Sequence, residues 1–516
     1  MMNKISDVRQ FGLAAGEKKR LVEKQDFIHI AILATAAFVI GSYLSATMVL
    51  ISKDGIYYIE SAKAIANNPV EGMRNMPCWG YPFLIYLMHK MTGLFYDATS
   101  LQGWIISAQA VSLISKVVAT IALYFIGSYF VGPRSSFCGV LILSVLPDSA
   151  EYGSDALSDW PHLMFLTTGL MLLLSGSRFH KSWMFGWAGI AAGLGYLIRT
   201  ESCQLVLYGS VWLLFNLIRP QGGMRKSKAA GSLILLLAGF AVIAVPHMWS
   251  KGYVFPKQMI WKLPALLNTN NNNIGSIFSA NMCPASLLIG KITGNETLIT
   301  NMCEMLLYYF IPALLIGCYY YFRKQSKTLE QTFFAAAFII LNISIQSWRS
   351  HTFLTLSRRH GLALIAFIIF YVPVGFHIIA SWLSKKTSRG NLPTEENVRR
   401  WFFILMAVGF GICAVKFVRT VPLRWERQGY RDAAKWLSKN TVPAAIIAVP
   451  DKRITFYAER KGLEYKEQIP EQVDYIVRIV KSEDEKPGFG KNTEEYSTWV
   501  GKQEKSGKLV ICKVIH

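Results

Sequence analysis

Eleven runs of apolar residues decide what this chain can become. They lie near 28–51, 104–130, 135–147, 160–176, 183–199, 203–218, 229–249, 304–322, 328–347, 361–383 and 401–418. A helix of about 20 apolar residues crosses roughly 30 Å of hydrocarbon. It also satisfies its own backbone polar groups, which lipid cannot do. The runs therefore predict a polytopic α-helical membrane protein with about eleven transmembrane helices. Charged residues are 17% of the 516, against about a quarter in an average soluble chain. Residues 1–27 are polar and basic and are expected to form a cytoplasmic segment. The first run lacks a small-residue cleavage site and reads as a retained anchor.

The net charge of +22 is scattered between the runs. That distribution predicts contacts with membrane lipid head groups and cytoplasmic loops, and argues against nucleic acid as a partner. With eleven spans, the basic stretches at the N-terminus, 178–181, 219–228, 323–327 and 385–400 all fall on one side. That side is expected to be the cytoplasm. The membrane domain then covers 28–419, with outer-face loops at 52–103, 147–160, 250–303 and 347–360. Residues 420–516 change to mixed polarity, with a helical pattern at 431–440 and β-rich runs at 444–449, 473–480 and 509–514. They predict a small outer-face α/β domain. The long loop reads equally as a lid or as a solvated connector, and spacing alone leaves a Cys283–Cys303 disulfide open.

The residues able to carry chemistry gather on the outer face. Asp54 stands just beyond the first run and opens an amphipathic pattern of Tyr57, Tyr58, Ala62, Ile65 and Ala66. An acid at the lip of a bilayer is a functional candidate or a helix cap. The second loop holds Asp148, Glu151, Asp155 and Asp159. Asp155 and Asp159, four apart, are expected to share one face of a helical turn. Such carboxylates bind a cation, trade protons or hold sugar hydroxyls; the plainer reading is a solvated loop, with Asp159 capping the next span. Arg199 and Glu201 mark a tight corner and are expected to pair, as a structural salt bridge or as part of a site. Arg358, Arg359 and His360 make the fourth loop basic where basic residues are otherwise scarce. Guanidinium forks match phosphate oxygens, of a lipid-linked substrate or of ordinary anionic lipids. No Walker, dinucleotide or zinc signature is present, so neither a nucleotide nor a metal is expected, although the acidic loop leaves a divalent cation open.

These motifs resemble, in order, those of the GT-C membrane glycosyltransferases. The likeness is to glycosyltransferase family 39, which includes the protein O-mannosyltransferases and the lipid A aminoarabinose transferases. It rests on Asp54-Gly55-Ile56-Tyr57-Tyr58, the return Gly80-Tyr81-Pro82, the acidic loop from Tyr152 to Asp159, and the glycine-rich span closing on Arg199-Thr200-Glu201. It covers roughly 28–380. The chain departs from the pattern where Gly55 replaces a second acid and Thr200 replaces a proline. A late Arg-Tyr-like run survives here only as Arg358-Arg359-His360.

The resemblance implies transfer of a sugar, with inversion, from a polyprenyl-phosphate donor to a hydroxyl on an acceptor lipid, protein or glycan. Asp54 would be the general base. Arg358 and Arg359, with Arg199 behind them, would hold the lipid phosphate. Asp155 and Asp159 would hold hydroxyls, and Tyr57, Tyr58, Glu201 and His360 would line the substrate site. Metal is not generally required in this branch, although oligosaccharide-transferring relatives use one. A bacterial inner membrane, with the site facing the periplasm, is the implied location. A diphosphate-dependent glycan ligase or oligosaccharyltransferase, a lipid or solute transporter and a non-catalytic scaffold stay open; one-sided ionisable residues and the lack of repeated halves disfavour the transporter.

Overall fold

The computed structural model describes residues 23–95, 97, 99–220, 224–252, 298–324, 328–353, 357–387, 394–465, 472–480, 493–500 and 507–514. Helices occupy all eleven apolar runs, and the chain is a multi-pass membrane protein. The expected count of eleven spans is not confirmed. Among the described residues six helices are long and apolar enough to cross a membrane, or eight if two bent pairs each count as one span. Leu298–Met305 meets Phe310–Arg323 at 105°, and Arg358–Ile368 meets Tyr371–Thr387 at 61°. Two further runs form the shorter helices Pro133–Val145 and Ser182–Ile198. The remaining run forms the 21-residue helix Asp159–Phe179. The asparagine run and Cys283 lie outside the described residues.

The main core buries large rings between the helices, among them Trp160, Trp212, Phe310, Phe334 and Phe370. Two bent spans meet tightly beside it. Gly317 on helix Phe310–Lys324 lies against the Tyr371 carbonyl, and Gly375 on helix Tyr371–Thr387 lies against the Ala313 carbonyl. A Cβ at either position would overlap that oxygen, and small residues are what let helices approach so closely in a membrane. Gly375→Val is therefore expected to cost about 1–3 kcal/mol or more. The check is the fraction of monodisperse protein recovered in detergent; wild-type recovery would refute the close approach.

A second core lies under Asp54. Helix Lys53–Asn67 starts where the Ser52 hydroxyl accepts the Gly55 N–H at 3.1 Å. It buries Ile56, Ile59, Ala62 and Ile65, the three-residue spacing of a narrow apolar stripe. Ile56, Ile59 and Ala62 pack against Tyr81, Ile85, Trp104, Ile105 and Ala156. The buried stripe thus begins one residue before the expected Tyr57, which is about half exposed.

The C-terminal stretch carries a five-stranded sheet of order β2-β1-β3-β5-β4. Its strands are β1 (Ile446–Val449), β2 (Lys461–Glu464), β3 (Tyr475–Val480), β4 (Thr493–Trp499) and β5 (Lys508–Lys513). β1 pairs in parallel with β2 and β3, while β5 runs antiparallel to β3 and β4. β2 and β4 escape the hydrophobic pattern because they are the sheet's edges, and edges carry polar residues. Helix Gln428–Asn440 packs on the sheet through Tyr430, Ala433, Ala434 and Leu437. Leu50, from the segment before the Asp54 helix, enters this same core. The Ile51 N–H donates to the Tyr457 hydroxyl at 3.0 Å. The sheet unit therefore grips the chain three residues ahead of Asp54.

Candidate active site

The acids and arginines, separate in sequence, meet in ion pairs. Asp54 forms an ion pair with Arg359. Asp159 Oδ1 accepts from Arg199 Nη2 at 2.7 Å, and Ser158 Oγ accepts from Arg199 Nε at 3.2 Å. Asp155 Oδ2 accepts from Arg424 Nη2 at 2.6 Å, and the same nitrogen reaches Glu151 at 3.1 Å. Arg358 meets Glu304 at 3.0 Å and Asp148 at 3.9 Å.

Asp155 and Asp159 do not share a helical turn. Helix Pro147–Tyr152 stops at Gly153, helix Asp159–Phe179 begins afresh, and Asp155 sits in the bend between them. Gly153 allows that bend, since a Cβ there would overlap the Lys116 stem beside the Trp160 ring. The Asp155 carboxylate also takes the Ser52 N–H at 3.1 Å and the Ala156 N–H at 2.7 Å. An acid that bonds nearby amides this way competes with helix formation. Asp155 is fully buried and links the acidic loop to the start of the Asp54 helix.

Asp159 faces a different space. With His162, Arg199, Glu201, Arg359 and His360 it lines a cavity of about 20 Å³, room for roughly one water. Two polar atoms on its wall, Asp159 Oδ2 and Arg359 Nε, are buried without a hydrogen-bond partner among the described residues. Each such atom costs about 1–3 kcal/mol, which suits a wall completed by a polar occupant. The cavity joins Asp54 through Arg359, which touches both. Gln346 donates its amide to the His360 carbonyl and so holds that wall to a neighbouring helix.

Burial works against the Arg199 charge, but the attraction of Asp159 and Glu201 outweighs it and raises the pKa. Arg199 is a fixed cation. Burial raises the Tyr58 pKa, so the phenol stays neutral, with its oxygen 3.1 Å from the Ser158 hydroxyl. Tyr57 lies outside this group, its ring set edge-on to that of Tyr58 with the ring centres 5.7 Å apart.

A profile of the family described as dolichyl-phosphate-mannose-protein mannosyltransferase matches residues 81–249, about a third of the chain. The matched stretch includes Asp155, Asp159, Arg199 and Glu201 and begins beyond Asp54. The crystal structure of ArnT from Cupriavidus metallidurans bound to undecaprenyl phosphate superposes with a TM-score of 0.52 at 14% identity, over 94% of this chain and 97% of that one. The apo oligosaccharyltransferase of Archaeoglobus fulgidus gives 0.54 at 12% identity, over 88% and 70%. The chain has the GT-C fold. The archaeal oligosaccharyltransferase AglB in complex with an inhibitory peptide and a dolichol-phosphate gives 0.49 at 12% identity, and this chain spans 64% of that one. No curated protein sequence matches.

On this fold the expected site residues divide. Asp54, Arg359, Asp159, Arg199, Glu201 and His360 come together around the cavity, and Tyr58 is joined to them through Ser158. Asp155 serves the loop's framework, and Arg358 is not on the cavity wall. Among the described residues no group of three or more His, Cys, Asp or Glu side chains assembles as for a metal ion. The sequence reading missed Arg424, Glu304, Ser158 and Gln346. Arg424 lies 269 positions from the acid it meets, and a basic residue after a span reads as a head-group anchor.

Proposed function

We propose that this protein is a membrane glycosyltransferase that moves a sugar from a polyprenyl-phosphate donor to an acceptor hydroxyl at the outer, periplasmic face. One observation carries the reading: Arg359 touches Asp54 and also lines the cavity of Arg199 and Asp159. The candidate base and the candidate phosphate ligands therefore converge.

In the proposed step the acceptor oxygen attacks the anomeric carbon from the face opposite the lipid phosphate. The new C–O bond forms as the bond to phosphate breaks, inverting the centre. Asp54 takes the acceptor proton. The electron pair leaves on the phosphate, where Arg199 and Arg359 offset its charge. Donor phosphate competes with Asp54 for Arg359, so donor binding frees the carboxylate for the proton. Asp159 and Glu201 are assigned to sugar hydroxyls. The cavity must widen to admit a sugar, and the Arg359 contact is the part that gives.

The test is a panel of radiolabelled polyprenyl-phosphate and polyprenyl-diphosphate sugars given to purified protein with cell-envelope extract, with and without EDTA. Release of polyprenyl monophosphate, indifferent to EDTA, is expected. Turnover of diphosphate donors alone, lost in EDTA, would assign the chain to cation-dependent oligosaccharide transfer instead. Donor binding without any turnover would replace the transferase reading with transport.

A further inference from the structure

A second cavity, of about 480 Å³, opens where the last membrane helix, Glu395–Thr420, gives way to the sheet unit. Its wall carries five cations, namely Lys53, Arg419, Arg424, Arg427 and Arg453, against two carboxylates. Asp155, Asp451 and Glu464 behind the wall bring the carboxylates level with the cations, but they are shared unevenly. Asp451 alone serves three of the cations, Arg453 at 2.6 Å, Arg427 at 3.4 Å and Lys53 at 3.8 Å. Arg424 is matched to Asp155 and Glu151, and Lys53 has Glu464 at 2.6 Å. Arg419 is exposed and makes no ion pair with any described residue. Among the described residues Arg427 has only its long contact with Asp451 as an ion pair, and it is 41% exposed. Two guanidinium groups therefore face one open cavity with most of their donors uncommitted.

Their surroundings favour an anion further. The cavity reaches Ser52 and Lys53, the start of the 15-residue helix Lys53–Asn67, and a helix start carries partial positive charge. The cavity also lies at the end of a membrane-crossing helix, the depth of lipid head groups. Trp425 is on its wall, the residue type that settles at that level.

We propose that this seam cavity binds the phosphate head group of an anionic membrane lipid, at a site separate from the transfer cavity. Arg419 and Arg427 are the phosphate ligands. Arg424 and Arg453, held by their own carboxylates, supply field rather than direct bonds. A lipid bound here ties the sheet unit to the bilayer on the side that grips residues 50 and 51.

The experiment titrates full-length protein in neutral detergent with dioctanoyl phosphatidic acid, following binding by native mass spectrometry. Saturable binding to wild type is expected. Arg419→Gln with Arg427→Gln should weaken it at least tenfold, roughly the effect of losing one or two charge-assisted hydrogen bonds. Arg419→Lys with Arg427→Lys keeps the charge and should lie between the two, with all three proteins showing the same unfolding midpoint. Arg199→Gln with Arg359→Gln, which removes the phosphate ligands of the transfer cavity, should bind as wild type does. Equal binding by wild type and the double Gln variant, or no saturable binding at all, overturns the proposal. Loss of binding in Arg199→Gln with Arg359→Gln overturns the separation of the two sites. Inorganic phosphate binding as tightly as the phosphatidic acid would make the ligand a free anion and overturn its assignment to a lipid.

Discussion

Asp54→Asn is expected to lower turnover roughly 10²–10⁴-fold, the range for loss of a general base, while donor binding and thermal stability stay near wild type. The structure separates these effects. Asp54 is 44% exposed in its pair with Arg359, and pairs of that kind contribute only about 0–1 kcal/mol. Asparagine keeps the shape and the acceptor oxygen toward Arg359 but cannot take a proton. Donor binding, measured by equilibrium dialysis of a labelled polyprenyl-phosphate sugar, should hold because Arg199 and Arg359 remain. Turnover by Asp54→Asn at the wild-type rate would remove Asp54 as the base and move attention to Asp159 and Glu201. A fall in turnover matched by an equal fall in the unfolding midpoint would make the residue structural.

The largest loss of stability is expected at Arg424. Its side chain donates to the Leu50 carbonyl at 2.8 Å, to Asp155 at 2.6 Å and to Glu151 at 3.1 Å. Its backbone is left-handed, with φ of 63°, a conformation costing a non-glycine residue about 1–2 kcal/mol. Arg424→Ala leaves Asp155, fully buried, as a charge without its cation. Breaking a buried pair from one side costs about 3–5 kcal/mol. A clear drop in the unfolding midpoint is expected, with reduced turnover because Ser52 and the Asp54 helix lose their tether. Arg424→Lys, which keeps a cation beside Asp155 but not the guanidinium fork, should recover part of that loss. An unchanged midpoint for Arg424→Ala would show that the pair does not hold the sheet unit to the membrane part.

Much of this was legible in the chain before it was folded. Apolar run length depends on composition over about 20 positions, and every run is a helix. The strands β1, β3 and β5 carry continuous apolar residues and could be placed; β2 and β4 are polar edges and could not. The bends could not be read: Phe310–Lys324 and Tyr371–Thr387 each continue a helix at an angle, and composition does not record direction. Within the site, Asp54, Arg199 and Arg359 could be singled out as charges where a bilayer makes charge costly. The pairing of Asp155 with Asp159 failed because Gly153 ends one helix and Asp155 caps amides of its own.

By itself, then, the sequence determined a multi-helix membrane chain with a small α/β unit behind it, and the residue types available at one face. Those properties follow from local composition and from the energy of placing polar groups in hydrocarbon. Only the tertiary structure decided which acid meets which arginine. Asp54 found Arg359, Asp159 found Arg199 and Asp155 found Arg424, across separations of 40 to 305 positions. A charge interacts over a few ångströms of space regardless of distance along the chain, so no local pattern could have announced those partners.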